Sequence, residues 1–127
     1  MSHPQPDGFL AVPPAGVGPP VLVLHPWWGL NDTVRAFCRR LADAGFVAFA
    51  PDLYHGRVAA TVADAEQMSG ALDGTAATAE VAAAAAFVRD RAIGDEAGAG
   101  ADGAADPTLA IVGFSMGAYF ALVHAAA

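Results

Sequence analysis

The chain has 127 residues, 55% hydrophobic and 15% charged, with a net charge of −7. Its length suits one domain with a core of its own, and its hydrophobicity excludes a disordered polar chain. Six arginines, no lysine and no dense basic run disfavour nucleic acid, and no apolar stretch reaches the length of a membrane span. Cys38 is the one cysteine, so no internal disulfide can form. Residues 1–7 lack the basic and apolar parts of a signal peptide, which predicts a cytoplasmic protein.

In chain order, a polar, proline-bearing and flexible N-terminus (residues 1–8) runs into a short strand over Gly8 to Val12. A Pro/Gly-rich turn covers Pro13 to Pro20. Val21 to Leu24 is a continuous apolar run, the signature of a strand buried on both faces of a parallel sheet. Asn31, Asp32 and Thr33 are N-cap candidates for a helix that carries Val34, Phe37, Cys38 and Leu41 on one side and stops at Gly45. Cys38 reads as a buried thiol on that apolar face. Phe46 to Ala50 is the next buried strand, closed by Pro51.

A loop follows from Asp52 to Arg57. Thr61-x-x-Asp64 resembles a capping box and opens a short helix to about Ser69. A second, alanine-rich helix begins between Thr75 and Thr78 and stops near Gly94. Residues 95–107, rich in Gly, Ala and Asp, read as a mobile loop. Leu109 to Val112 is the last strand and Met116 to Ala126 the last helix. This alternation predicts a mostly parallel α/β sheet with helices on both faces.

Chemistry concentrates where these strands end. Gly113, Ser115 and Gly117 form a Gly-x-Ser-x-Gly pattern between an apolar strand and a helix, the nucleophile elbow of α/β hydrolases. Glycines flank the serine because side chains two residues away would collide in so tight a turn. There Ser115 Oγ attacks a carbonyl carbon, and the backbone N–H of Met116 is one oxyanion donor. The second donor belongs after the first buried strand. Pro26 has no N–H, so Trp27 is the candidate.

The adjacent Trp27 and Trp28 have two readings, a wall of the acyl pocket, with Trp28 as the substrate contact, or ordinary packing. The loop with Tyr54 and Arg57 follows a strand on the ligand side of the sheet; Arg57 has two equal readings, a guanidinium matched to a substrate carboxylate or a solvated surface arginine. Asp52 reads as a turn former. His25 has two readings, a substrate contact or a ring hydrogen-bonded to backbone. His124 is excluded as the base, because nine residues of one helix separate it from Ser115 by about 13 Å.

The chain resembles the dienelactone hydrolase family. The resemblance is carried by Trp27-Trp28-Gly29-Leu30-Asn31 after Val21 to Leu24, by Leu41-Ala42-Asp43-Ala44-Gly45-Phe46 leading to Pro51-Asp52-Leu53-Tyr54, and by Val112-Gly113-Phe114-Ser115-Met116-Gly117. It implies hydrolysis of a small-molecule ester or lactone, a nucleophile at Ser115, oxyanion donors at Met116 and Trp27, and neither metal nor cofactor. It further implies an Asp and a His from later strands, whereas twelve residues follow Ser115 here. The expectation is therefore one partial domain, the N-terminal part of an α/β-hydrolase sheet truncated after the nucleophile helix. The best-known members of the family have cysteine at the nucleophile and many have glutamate at the position of Pro26.

A non-catalytic binding or interaction module that keeps the fold is the alternative, as is a truncated reading frame. In either case the strand Leu109 to Val112 would lack a neighbour on one side. Its apolar edge then invites self-association.

Overall fold

The computed structural model describes residues 4–97 and 108–126. Four strands form one sheet: β1 (Gly8–Ala11), β2 (Pro20–Leu24), β3 (Val47–Pro51) and β4 (Ala110–Gly113), in the order β1-β3-β2-β4. β2 pairs in parallel with both β3 and β4, and β1 runs antiparallel to β3. Four helices, α1 (Asp32–Asp43), α2 (Val62–Ala71), α3 (Gly74–Ala97) and α4 (Met116–Ala126), complete the described fold.

The unbroken apolar strands follow from their two covered faces. Alternate side chains of β2 and β3 point opposite ways. Leu22, Leu24, Val47 and Phe49 pack against Val81, Ala84 and Val88 of α3 and Phe120 of α4. Val21, Val23, Ala48 and Ala50 meet Val34, Cys38 and Ala42 of α1. Small alanines under α1 let that helix lie close to the sheet, whereas Phe49 needs the space beneath α3, where its ring meets Phe87 edge to face at 4.9 Å.

Local signals explain most boundaries. Asn31 caps α1 by accepting from the Val34 N–H at 3.1 Å. The helix ends where Gly45 adopts φ +104° and the Phe46 N–H reaches back to the Leu41 carbonyl. Thr61 caps α2 by accepting from the Asp64 N–H, and the Asp64 carboxylate in turn accepts from the Ala60 N–H.

The strand ends shift by one residue from expectation, and α3 differs at both ends. The Asp73 carboxylate accepts from the Thr75 and Ala76 N–H groups, so α3 starts at Gly74, ahead of either threonine. α3 runs past Gly94 to Ala97, three residues into the segment read as a loop. The remainder of that loop, 98–107, lies outside the described residues, as do residues 1–3 of the expected flexible N-terminus. The end of that terminus is tied down: Gly8 pairs with Pro51, and the Asp7 carbonyl accepts from the Asp52 N–H at 2.9 Å.

Candidate active site

Because β2, β3 and β4 are parallel, the loops that follow them emerge along one edge of the sheet. From β2 the chain crosses by α1 to β3 on one side, and later returns to place β4 on the other. Such a reversal opens a crevice at the carboxyl ends of the strands, between β2 and β4. Ser115 stands there, exposed, after β4.

Its backbone is unusual. Ser115 has φ +55°, a left-handed conformation that costs a non-glycine residue about 1 kcal/mol. The chain turns so sharply that a Cβ on Gly113 would lie 2.6 Å from the Gly117 carbonyl oxygen, and one on Gly117 would lie 2.2 Å from the Leu24 carbonyl oxygen. The Phe114 N–H extends the β2 ladder to the Leu24 carbonyl at 3.1 Å, then Gly117 and Ala118 donate to Phe114 and Ser115 as α4 begins. Met116 is therefore the first residue of α4, at the end where N–H groups lack intrahelical partners.

The loop after β2 is held by His25. The ring is fully buried; its Nε2 accepts from the Leu53 N–H at 3.1 Å, which assigns the proton to Nδ1, and Nδ1–H donates to the Pro26 carbonyl at 2.7 Å. Burial lowers the pKa of this histidine, opposed by the Pro26 hydrogen bond and the Asp52 charge. The Pro26 carbonyl also accepts from the Gly29 N–H at 3.0 Å. This carbonyl and the Trp27 N–H belong to one planar peptide group and point oppositely. Two donors on the carbonyl thus fix the direction of the N–H.

Tyr54 ties this loop to the serine turn. Its hydroxyl donates to the Trp27 carbonyl at 2.8 Å and lies 3.5 Å from Met116 Sδ, while its ring packs 5.1 Å from that of His25. Asp52 shapes the supporting loop, accepting from the Tyr54 N–H at 3.1 Å and the Gly56 N–H at 2.8 Å. His55 sits at φ +52° in the same loop, its ring between Asp7 (3.1 Å) and Glu80 (2.9 Å), and its pKa is raised, first by the Asp7 hydrogen bond.

The residues singled out from sequence fall into three positions. Trp27 lies in the loop after β2 and Ser115 and Met116 in the turn after β4, with the Tyr54 hydroxyl touching Trp27 and Met116. Trp28 stands edge-on to Trp27, with ring centroids 6.1 Å apart, and lines a cavity of about 320 Å³ with Pro26, Phe37, Arg40 and Phe114. Arg57 is exposed on the rim of a smaller cavity of about 160 Å³, with Leu53, Tyr54 and Met68. Ser115 lines neither. His25 lies behind the site: its ring is buried and both nitrogens are engaged, so it presents no group to a substrate and follows the backbone-bonded reading. Phe37, expected from sequence only on the apolar side of α1, also lines the larger cavity, and its ring meets Phe114 at 5.4 Å.

No described side chain hydrogen-bonds the Ser115 hydroxyl. Of the described histidines, His25 and His55 are engaged elsewhere and His124 is in the last turn of α4. Among the described residues no three His, Cys, Asp or Glu side chains gather as metal ligands, and no single helix is long and apolar enough to cross a membrane.

Comparison with known proteins agrees with this fold. A protein of Aquifex aeolicus provisionally named carboxymethylenebutenolidase is 47% identical over 64 residues, 48% of this chain and 27% of that protein. A crystal structure from Klebsiella pneumoniae, provisionally described as a dienelactone hydrolase, superposes with TM-score 0.69 at 24% identity, covering 94% of this chain and 48% of its own. A structure named m3DLH superposes with TM-score 0.67 at 30% identity, covering 93% and 47%. The chain thus spans about half the length of these solved structures. The family model for dienelactone hydrolases matches residues 7–127, nearly the whole of this sequence and all three strand-end loops of the site, so the chain belongs to the dienelactone hydrolase family.

Proposed function

We propose that this chain carries the nucleophile and oxyanion half of a carboxylic ester or lactone hydrolase, with Ser115 as nucleophile and the N–H groups of Trp27 and Met116 as oxyanion donors. The left-handed Ser115 between two glycines that admit no Cβ carries this reading. A lone pair of Ser115 Oγ attacks the carbonyl carbon and the hydroxyl proton passes to a base. The carbonyl π pair moves onto oxygen, between the two N–H donors. Collapse breaks the bond to the alkoxide, which takes up a proton, and water then releases the acid from the acyl-serine.

A small-molecule ester or lactone is the partner of this site, Trp28 a wall for its acyl group and Arg57 a contact for an anionic substituent. The sheet edge at β4 is proposed as a surface for self-association. A buried, unpaired Cys38, its thiol pushed up to about 11 mainly by burial, suits a reducing compartment such as the cytoplasm.

The test is labelling with a fluorophosphonate. We expect slow modification confined to Ser115, lost in Ser115→Ala and accelerated by added imidazole, which supplies the base that no described side chain offers. Labelling that persists in Ser115→Ala, or that never reaches Ser115, would show the reading to be wrong.

A further inference from the structure

The hydroxyl of Tyr54 touches both residues that bear the candidate oxyanion donors. It donates to the carbonyl of Trp27 and approaches the thioether of Met116, although these residues lie 89 positions apart in sequence (116 minus 27). The Trp27 N–H sits in the peptide whose carbonyl is held by His25 and Gly29. Anchoring the Trp27 carbonyl as well fixes the peptide on its other side. The N–H then keeps one direction relative to the start of α4.

Tyr54 suits this task because it cannot move. It is buried, its N–H is bound by Asp52, its ring packs at a tilt against that of His25, and the neighbouring backbone closes tightly at Gly29, where a Cβ would lie 3.1 Å from the Tyr54 ring. Burial also raises the phenol pKa, so the hydroxyl stays protonated and able to donate across the neutral range. A group buried and hydrogen-bonded in this way is poorly placed for the substrate contact expected from sequence.

We propose that Tyr54 is a positioning residue, whose hydroxyl clamps Trp27 to Met116 and so sets the spacing of the two oxyanion donors. This rests on the assignment of Ser115, Trp27 and Met116 made above. Tyr54 acts through their backbone and touches no reacting atom.

The experiment is single-turnover acetylation of the full chain by p-nitrophenyl acetate, with the modified residue mapped by mass spectrometry and the rate followed against ester concentration. Tyr54→Phe keeps the ring and removes the hydroxyl. We expect the limiting rate at Ser115 to fall about tenfold with the half-saturating concentration unchanged, less than the ~10²–10³ that follows outright loss of an oxyanion donor. A merely structural defect would instead lower the fraction of chains labelled. Met116→Leu cuts the clamp at its other end and leaves the backbone N–H in place; it should also slow acetylation severalfold, and it serves if Tyr54→Phe does not fold.

Wild-type rates in either folded variant, with Ser115 still labelled, overturn the clamp and leave the nucleophile assignment standing. Absence of Ser115 labelling in the wild type overturns the assignment, and the clamp with it.

Discussion

A histidine whose two ring nitrogens are both committed to backbone groups cannot take a second proton without losing a bond. Protonating His25 would turn the Nε2 acceptor into a donor facing the Leu53 N–H. With burial already lowering its pKa, the folded chain resists a proton that the unfolded chain accepts at about 6.5. The contribution of His25 is therefore intact above that value and is lost as pH falls from about 6.5 through the lower folded pKa. His55 acts in the opposite sense, since its raised pKa favours the folded state at low pH and the benefit fades as pH rises through it; exposure keeps that term small. We expect denaturant-derived stability to decline between pH 7 and 5, and His25→Gln, less stable overall, to flatten that decline. An equally steep decline in the variant would remove His25 as its cause. At this scale the sequence already separated the two readings of His25, but only the fold could choose, because Leu53 lies 28 positions away.

The strand-to-helix turn at Ser115 was legible as an element because its constraint is local: glycines at two fixed spacings, an apolar strand before and a helix after. What sequence could not show is which atoms press on those glycines. Gly117 faces the Leu24 and His25 carbonyl oxygens of the neighbouring strand end, at 2.2 and 2.8 Å from a would-be Cβ. Neither is a flexible side chain that could swing aside. Gly117→Ala should therefore cost about 2–3 kcal/mol and part β2 from α4, outweighing the helix preference of alanine. Gly70, inside α2, has nothing within 4 Å of a would-be Cβ, so Gly70→Ala should stabilise by about 0.5–1 kcal/mol. Thermal melts of the two variants shifting in the same direction would contradict this account. The start of α3 escaped sequence reading for a related reason: Asp73, Thr75 and Thr78 are all competent caps, and packing of Ala77 and Val81 in the core selects among them.

Across the whole molecule, the order of strands and the two covered faces of β2 and β3 were readable because a strand buried on both sides must be apolar at every position. The pairing order was not, since it depends on which crossover each connection takes. Its consequence lies at β4, which among the described residues bonds to β2 alone and whose residues are less buried than those of β2 and β3. Beside it, α4 leaves Tyr119 63% and Leu122 72% exposed, two apolar side chains one helical turn apart. Unpaired strand groups next to apolar side chains favour pairing with another chain, whereas the net charge of −7 opposes it at low ionic strength. Salt screens that repulsion without weakening apolar burial. We therefore expect sedimentation velocity to show reversible association that increases with protein concentration and with added salt, and a double substitution, Tyr119→Glu with Leu122→Glu, to return the chain to a monomer. A monomer at every concentration and salt level would mean that this edge and helix face are stable against water alone, and association that survives the double substitution would place the contact elsewhere on the molecule.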